Sequence, residues 1–81
     1  MKPDIEIDAT GLLCPLPVLK LKKRMDQVND GAIIKILSDD PAAVLDIPYF
    51  CTENNHKFLA SRVVNGEKTE RRLREYYVKK K

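Results

Sequence analysis

Apolar and acidic side chains alternate in steps of two along Ile5-Glu6-Ile7-Asp8-Ala9, the period of a half-buried strand with its acidic side facing outward. After a turn at Thr10-Gly11 the period changes. Val18, Leu21, Met25 and Val28 recur at helical spacing and make one apolar stripe, so a helix is predicted from Pro15 to about Gln27. Asn29-Asp30-Gly31 stops it with turn residues. Ala32 to Ser38 is short, β-branched and apolar, as in a central strand covered on at least one face. Asp40 suits a helix N-cap and Pro41 the first helical position. That second helix is predicted to reach about Thr52, with Val44, Ile47 and Cys51 on its apolar side and Phe50 nearby. Pro48 interrupts the pattern. A proline inside a helix costs about 3 kcal/mol, so a kink or short break is expected near Asp46-Ile47-Pro48.

Lys57 to Val64 reads as a strand. Asn65-Gly66 is a type I′ hairpin signal and asks for a returning strand, placed over Arg72 to Val78. Good helix formers between Glu70 and Lys81 leave a helix as the alternative. The order β-α-β-α-β-β implies an α+β fold, a two-layer α/β sandwich. Its mixed four-stranded sheet carries both helices on one face, because right-handed crossovers place them on the same side. The other sheet face is left to solvent or a partner.

At 81 residues the chain makes a single domain, residues 1–81, with a modest core and little room for a deep pocket. The formal charge of +3 is concentrated in Lys20-Leu21-Lys22-Lys23-Arg24 and in Lys79-Lys80-Lys81. A nucleic-acid reader usually shows a denser basic face with interleaved aromatics, so direct nucleic-acid binding is not expected. No secretory signal precedes Ile5, and no apolar run approaches the roughly 20 residues of a membrane span. Two cysteines are too few for a disulfide scaffold, and a cytoplasmic setting with free thiols is expected. Cys14, Cys51 and His56 are scattered and lack zinc spacing, so neither a metal nor a cofactor is expected.

Cys14-Pro15-Leu16-Pro17 sits where a strand and turn lead into a helix. Prolines are tolerated in a first helical turn, which puts Cys14 at or beside the N-cap. Unpaired N–H groups and the positive end of the helix dipole gather there. With Lys20, Lys22 and Lys23 nearby, they are expected to favour the thiolate, the reactive form. The alternative, a small buried hydrophobe, is where most free cysteines sit.

Asp8-Ala9-Thr10-Gly11-Leu12-Leu13-Cys14-Pro15-Leu16-Pro17 resembles the signature of the TusA/SirA-like sulfur carriers, a CPxP core preceded by Gly-Leu. Asp39-Asp40-Pro41, Asp46-Ile47-Pro48, Phe50-Cys51-Thr52 and His56 continue the resemblance, which spans Ile5 to Val78 and is closest to the TusA branch. The resemblance implies a two-layer sandwich and a sulfur relay. In that relay Cys14 accepts sulfane sulfur as a persulfide from a cysteine desulfurase or a rhodanese-type donor. It passes the sulfur to an acceptor such as a DsrE-type complex, ending in transfer-RNA thiolation or cytoplasmic sulfur trafficking. It makes the chain a relay component rather than a stand-alone enzyme. Leu16 stands where TusA proteins often carry Glu, and the tail from Thr69 to Lys81 is longer and more basic than the family leads one to expect.

Among supporting residues, Gly11, Pro15 and Pro17 are expected to shape the approach to the helix. Lys20, Lys22, Lys23 and Arg24 are by default a solvated face, and by their nearness to the thiol a docking surface for an acidic donor. Cys51 is read as core filler, with a resolving thiol as the minority reading. Asp46 is either a surface residue or a hydrogen-bond partner of Cys14. His56 is read as an exposed loop histidine. Two other functions compete. A thiol redox regulator would pair Cys14 with Cys51, which needs Cα atoms within about 7 Å. A small RNA-binding domain would use the basic helix and tail, in a strand-helix order also seen in the C-terminal domain of bacterial translation initiation factor 3.

Overall fold

The computed structural model describes residues 2–64 and 73–81. Six elements follow in order: β1 (Ile5–Asp8), α1 (Leu16–Met25), β2 (Ile33–Ser38), α2 (Ala43–Glu53), β3 (Lys57–Val64) and β4 (Leu73–Lys79). They form the expected α+β sandwich. The sheet order is β1-β2-β4-β3. β1 and β2 run parallel, with Ile5 opposite Ile34 and Ile7 opposite Ile36. β4 runs antiparallel to both β2 and β3. The last segment is therefore a strand and not a helix. It gives β2 a second partner, burying that apolar run at the centre of the sheet. The Asn65-Gly66 turn signal lies outside the described residues.

The alternation in the strands decides which face is covered. Ile7, Ile34, Ile36, Tyr76 and Val78 are buried on the helix side, against Leu21 and Met25 of α1 and Ala43, Ile47, Phe50 and Cys51 of α2. Burying one aliphatic side chain of this size contributes about 1.5–3 kcal/mol, so this single cluster supplies most of the driving force. Two details of the helical stripes differ from the sequence pattern. Val44 is exposed and Ala43, one helical turn before Ile47, takes its place in the core, so the buried stripe runs Ala43-Ile47-Phe50-Cys51. Val18 is only half-buried, while Pro17 is fully buried.

Pro48 lies inside α2, which continues unbroken from Ala43 to Glu53. The expected break does not occur. Proline cannot donate to the carbonyl one turn back; that carbonyl belongs to the exposed residue Val44, on the solvent side of the helix. Ile47, Phe50 and Cys51, all buried around Pro48, hold the helix against the core.

The opposite sheet face is polar. Glu75 is buried there, ion-paired to Lys35 at 3.0 Å and to Arg62. Lys35 also reaches Glu6 at 3.5 Å, and the Tyr77 hydroxyl donates to Glu75 at 3.4 Å.

Candidate functional site

Two loops meet at the C-terminal ends of the parallel strands β1 and β2. In the first, Asp8 Oδ1 accepts from the backbone N–H of Thr10 at 3.0 Å and from its hydroxyl at 2.6 Å. This turns the chain sharply after β1. Gly11 follows with φ +80, a left-handed conformation that disfavours a side chain even in open space. Its N–H donates to Asp39 Oδ1 at 3.0 Å, tying the first loop to the second.

The second loop is organised by Asp40, which is buried. Its Oδ1 accepts from the Ala42 N–H at 3.2 Å and its carbonyl from Ala43 at 3.1 Å. Asp40 thus closes a turn just ahead of α2, whose N-cap is Ala42 with no side-chain cap bond, so the N-cap expected at Asp40 falls two residues later. Its other oxygen, Oδ2, accepts from the backbone N–H of Cys14 at 2.6 Å. One carboxylate therefore anchors the starts of both helices. The sequence marked Asp40 as a turn and helix-start residue but carried no signal for the bond to Cys14.

Cys14 is exposed and lies immediately before Pro15, the N-cap of α1. The peptide bond between them is cis. Pro17 stands in the first turn with its ring in the core. The thiol Sγ donates to Asp46 Oδ2 at 3.0 Å, which settles Asp46 as a hydrogen-bond partner. The bond joins the loop ahead of α1 to the first turn of α2.

The electrostatics differ from the sequence expectation. The hydrogen bond to Asp46 pushes the Cys14 thiol above its ordinary pKa; desolvation and the charges of Asp46 and Asp40 act in the same direction. Two local facts weaken the opposing helix effect. The Leu16 N–H is already bonded to the Leu13 carbonyl at 2.8 Å, and Pro17 has no N–H to offer. The lysines do not help either. Lys20 Nζ donates to the Asp8 carbonyl at 2.8 Å. Lys22, Lys23 and Arg24 occupy the last turn of α1, at the end away from Cys14. Lys20, Lys23 and Arg24 line a separate groove with Glu6 and Asp8. The basic residues therefore do not adjoin the thiol.

What does adjoin it is apolar and acidic. An open groove of about 400 Å³ is lined by Cys14, Pro15, Val18, Asp46, Tyr49, Phe50, Glu53 and Asn54. Leu13, Leu16 and Tyr49 are about half exposed or more. Leu16, the CPxP variable position, is exposed but does not line the groove.

Cys51 is 2% exposed in the core face of α2, and both cysteines are free. Asp46 faces Cys14. Cys51 lies five residues further along α2, roughly 7.5 Å along the axis and about 140° around it. This placement does not suit a disulfide. Burial pushes the Cys51 thiol up to about 11. His56 is half-buried rather than exposed, its ring 5.7 Å from that of Phe50. Burial and the charges of Lys80 and Lys81 lower its pKa. Its Nδ1 accepts from the Lys81 backbone N–H at 3.4 Å.

Comparison with known proteins follows the same residues. Among solved structures, the SirA-like protein of Desulfitobacterium hafniense superposes with a TM-score of 0.71 at 21% sequence identity, covering 93% of this chain and 95% of that one. At that identity the likeness speaks for the fold. The model of the family described as "Sulfurtransferase TusA" matches residues 5–75, a span that takes in the CPxP segment, Asp40, Asp46 and most of the sheet. The chain belongs to the TusA sulfurtransferase family, and sulfur transfer is its general role.

Proposed function

We propose that the protein carries sulfane sulfur as a persulfide on Cys14 and hands it from a donor protein to an acceptor protein. One observation carries the reading. Cys14 is the exposed thiol of the two, and it stands at an open groove on a chain of a sulfurtransferase family. Relay by a thiol needs access by one protein sulfur and then by another, which a thiol beside a shallow groove permits. Cys51, buried in the core, cannot be reached without opening the fold.

The chemistry is exchange at sulfur. The Cys14 thiolate attacks the terminal sulfur of a donor persulfide. A bond forms between Cys14 Sγ and that sulfur, the donor S–S bond breaks, and the donor cysteine leaves with the electron pair. The second half-reaction is the same step with an acceptor thiol attacking the sulfur held on Cys14. A cysteine desulfurase or a rhodanese-type protein is the fitting donor class, and a thiol-bearing relay protein, DsrE-type or similar, the acceptor. Transfer-RNA thiolation and sulfur trafficking in the cytoplasm are the pathways this would serve. No helix among the described residues is long and apolar enough to cross a membrane.

The test is a transfer assay with radiolabelled cysteine sulfur and a cysteine desulfurase. Wild-type protein takes up label that a reductant removes. Cys14→Ser takes up none, and Cys51→Ala takes up as much as wild type. Label that persists in Cys14→Ser would overturn the assignment.

A further inference from the structure

The structure assigns Asp46 as the residue that positions Cys14. Its carboxylate holds the thiol by hydrogen bond at the mouth of the groove until a cationic group of the partner protein displaces it. This rests on the carrier reading above and adds the control of its thiol.

The geometry comes first. Asp46 Oδ2 accepts from Cys14 Sγ at 3.0 Å, across 32 residues of chain. The Cys14 backbone is pinned independently, its N–H 2.6 Å from Asp40 Oδ2. Main chain and side chain of one residue are thus held by two carboxylates, one from the connection before α2 and one from its first turn. Both bonds are made without displacing the thiol from solvent.

The charges facing Cys14 are of one sign. From α2 come Asp46 and, further along the groove, Glu53; from the β2–α2 connection comes Asp40. From α1 and the loop before it come only Pro15 and Val18. Lys20 is held on the Asp8 carbonyl. Among the described residues no cation lines the groove. All these influences favour the neutral thiol, so the resting carrier is a poor nucleophile. A lysine, arginine or histidine beside the donor's cysteine would pair with Asp46 and take away both the hydrogen bond and the unpaired negative charge. Sγ then ionises and attacks the sulfane sulfur. The Cys14 Sγ–S bond forms, the donor S–S bond breaks, and the departing donor sulfur takes the electron pair and the proton that Cys14 released. One thiol is consumed and one is formed, so no oxidant or reductant is needed.

The experiment uses small probes, so it does not depend on any relay partner. Rates of Cys14 mixed-disulfide formation are measured with cystamine, a dication, and with its neutral hydroxyl counterpart, hydroxyethyl disulfide, each relative to free cysteine. The whole protein is used, as wild type, Asp46→Asn and Asp46→Glu. Wild type is expected to favour cystamine severalfold. Asp46→Asn loses that preference, and its alkylation by iodoacetamide sets in at lower pH than in wild type. Asp46→Glu, which keeps the charge, retains the preference. No cystamine preference in wild type, or an alkylation profile of Asp46→Asn that superimposes on wild type, would overturn the proposal. If Asp46→Asn does not fold by circular dichroism, salt on wild type decides. Screening must erode the cystamine preference, and a preference indifferent to salt refutes the role of charge. Failure of sulfur loading from a desulfurase would instead count against the carrier reading and leave these rates unchanged.

Discussion

Cys51 and Cys14 carry the same group in opposite surroundings. Cys51 is sealed in the core by Ile47, Phe50 and the sheet, and only desolvation acts on it, raising its pKa from 9.0 to about 11. A thiol whose pKa is raised on folding favours the native state while it is protonated in both states. That contribution is complete below pH 9.0, the unfolded value, and is lost as the pH rises through about 11. Cys51→Ala should therefore lose stability at neutral pH, by roughly 1–2 kcal/mol as for a small core truncation. The gap to wild type should narrow between pH 9.0 and about 11, as read from urea midpoints. Cys14 answers instead to Asp46 and Asp40. Its surroundings tune reactivity rather than stability.

At the scale of elements, the two helices are fastened where they begin. Asp40 closes the turn that leads into α2 and accepts from the Cys14 N–H ahead of α1. Asp40→Ala removes the turn bond to the Ala42 N–H, worth about 1 kcal/mol, and leaves the Cys14 N–H without its partner, a further 1–3 kcal/mol or so where water does not reach it. A loss of roughly 2–3 kcal/mol is expected in urea unfolding, together with slower sulfur loading because the thiol is no longer fixed. Most of this architecture was legible in the sequence. Period-two alternation gave β1, helical spacing gave α1, and Lys57 to Val64 matched β3 to the residue. Pro48 does not break α2, because a helix packed on a core by Ile47, Phe50 and Cys51 tolerates a missing bond on its solvent side. Cys14-Pro15-Leu16-Pro17 was legible as a thiol at a helix start. The sign of its electrostatics was not. The lysines of α1 are close to Cys14 in sequence but project along the helix away from it, whereas Asp40 and Asp46 are distant in sequence and adjacent in space. Local spacing cannot report a contact made by two different crossovers.

For the molecule as a whole, one sheet face holds the core and the other holds a charge network on Glu75. Burial alone would raise the Glu75 pKa, but hydrogen bonds from Arg62 and Lys35 outweigh it and the pKa is lowered from 4.5. A carboxylate depressed on folding stabilises the native state above its unfolded pKa and loses that contribution as the pH falls through the folded value. Glu75→Ala should cost about 2 kcal/mol at pH 7. The difference from wild type should shrink below pH 4.5, as measured by thermal melts across pH. No local pattern pointed to this acid, since its partners lie on β2 and β3 and meet only through the sheet register. The whole fold thus leaves one thiol at the surface, beside a groove that another protein can enter. Intact-mass and peptide mapping of the protein after incubation with a cysteine desulfurase and cysteine tests this most directly. The account predicts a gain of one sulfur atom, located on the Cys14 peptide and removed by reductant. No gain, or a gain located on the Cys51 peptide, would contradict it.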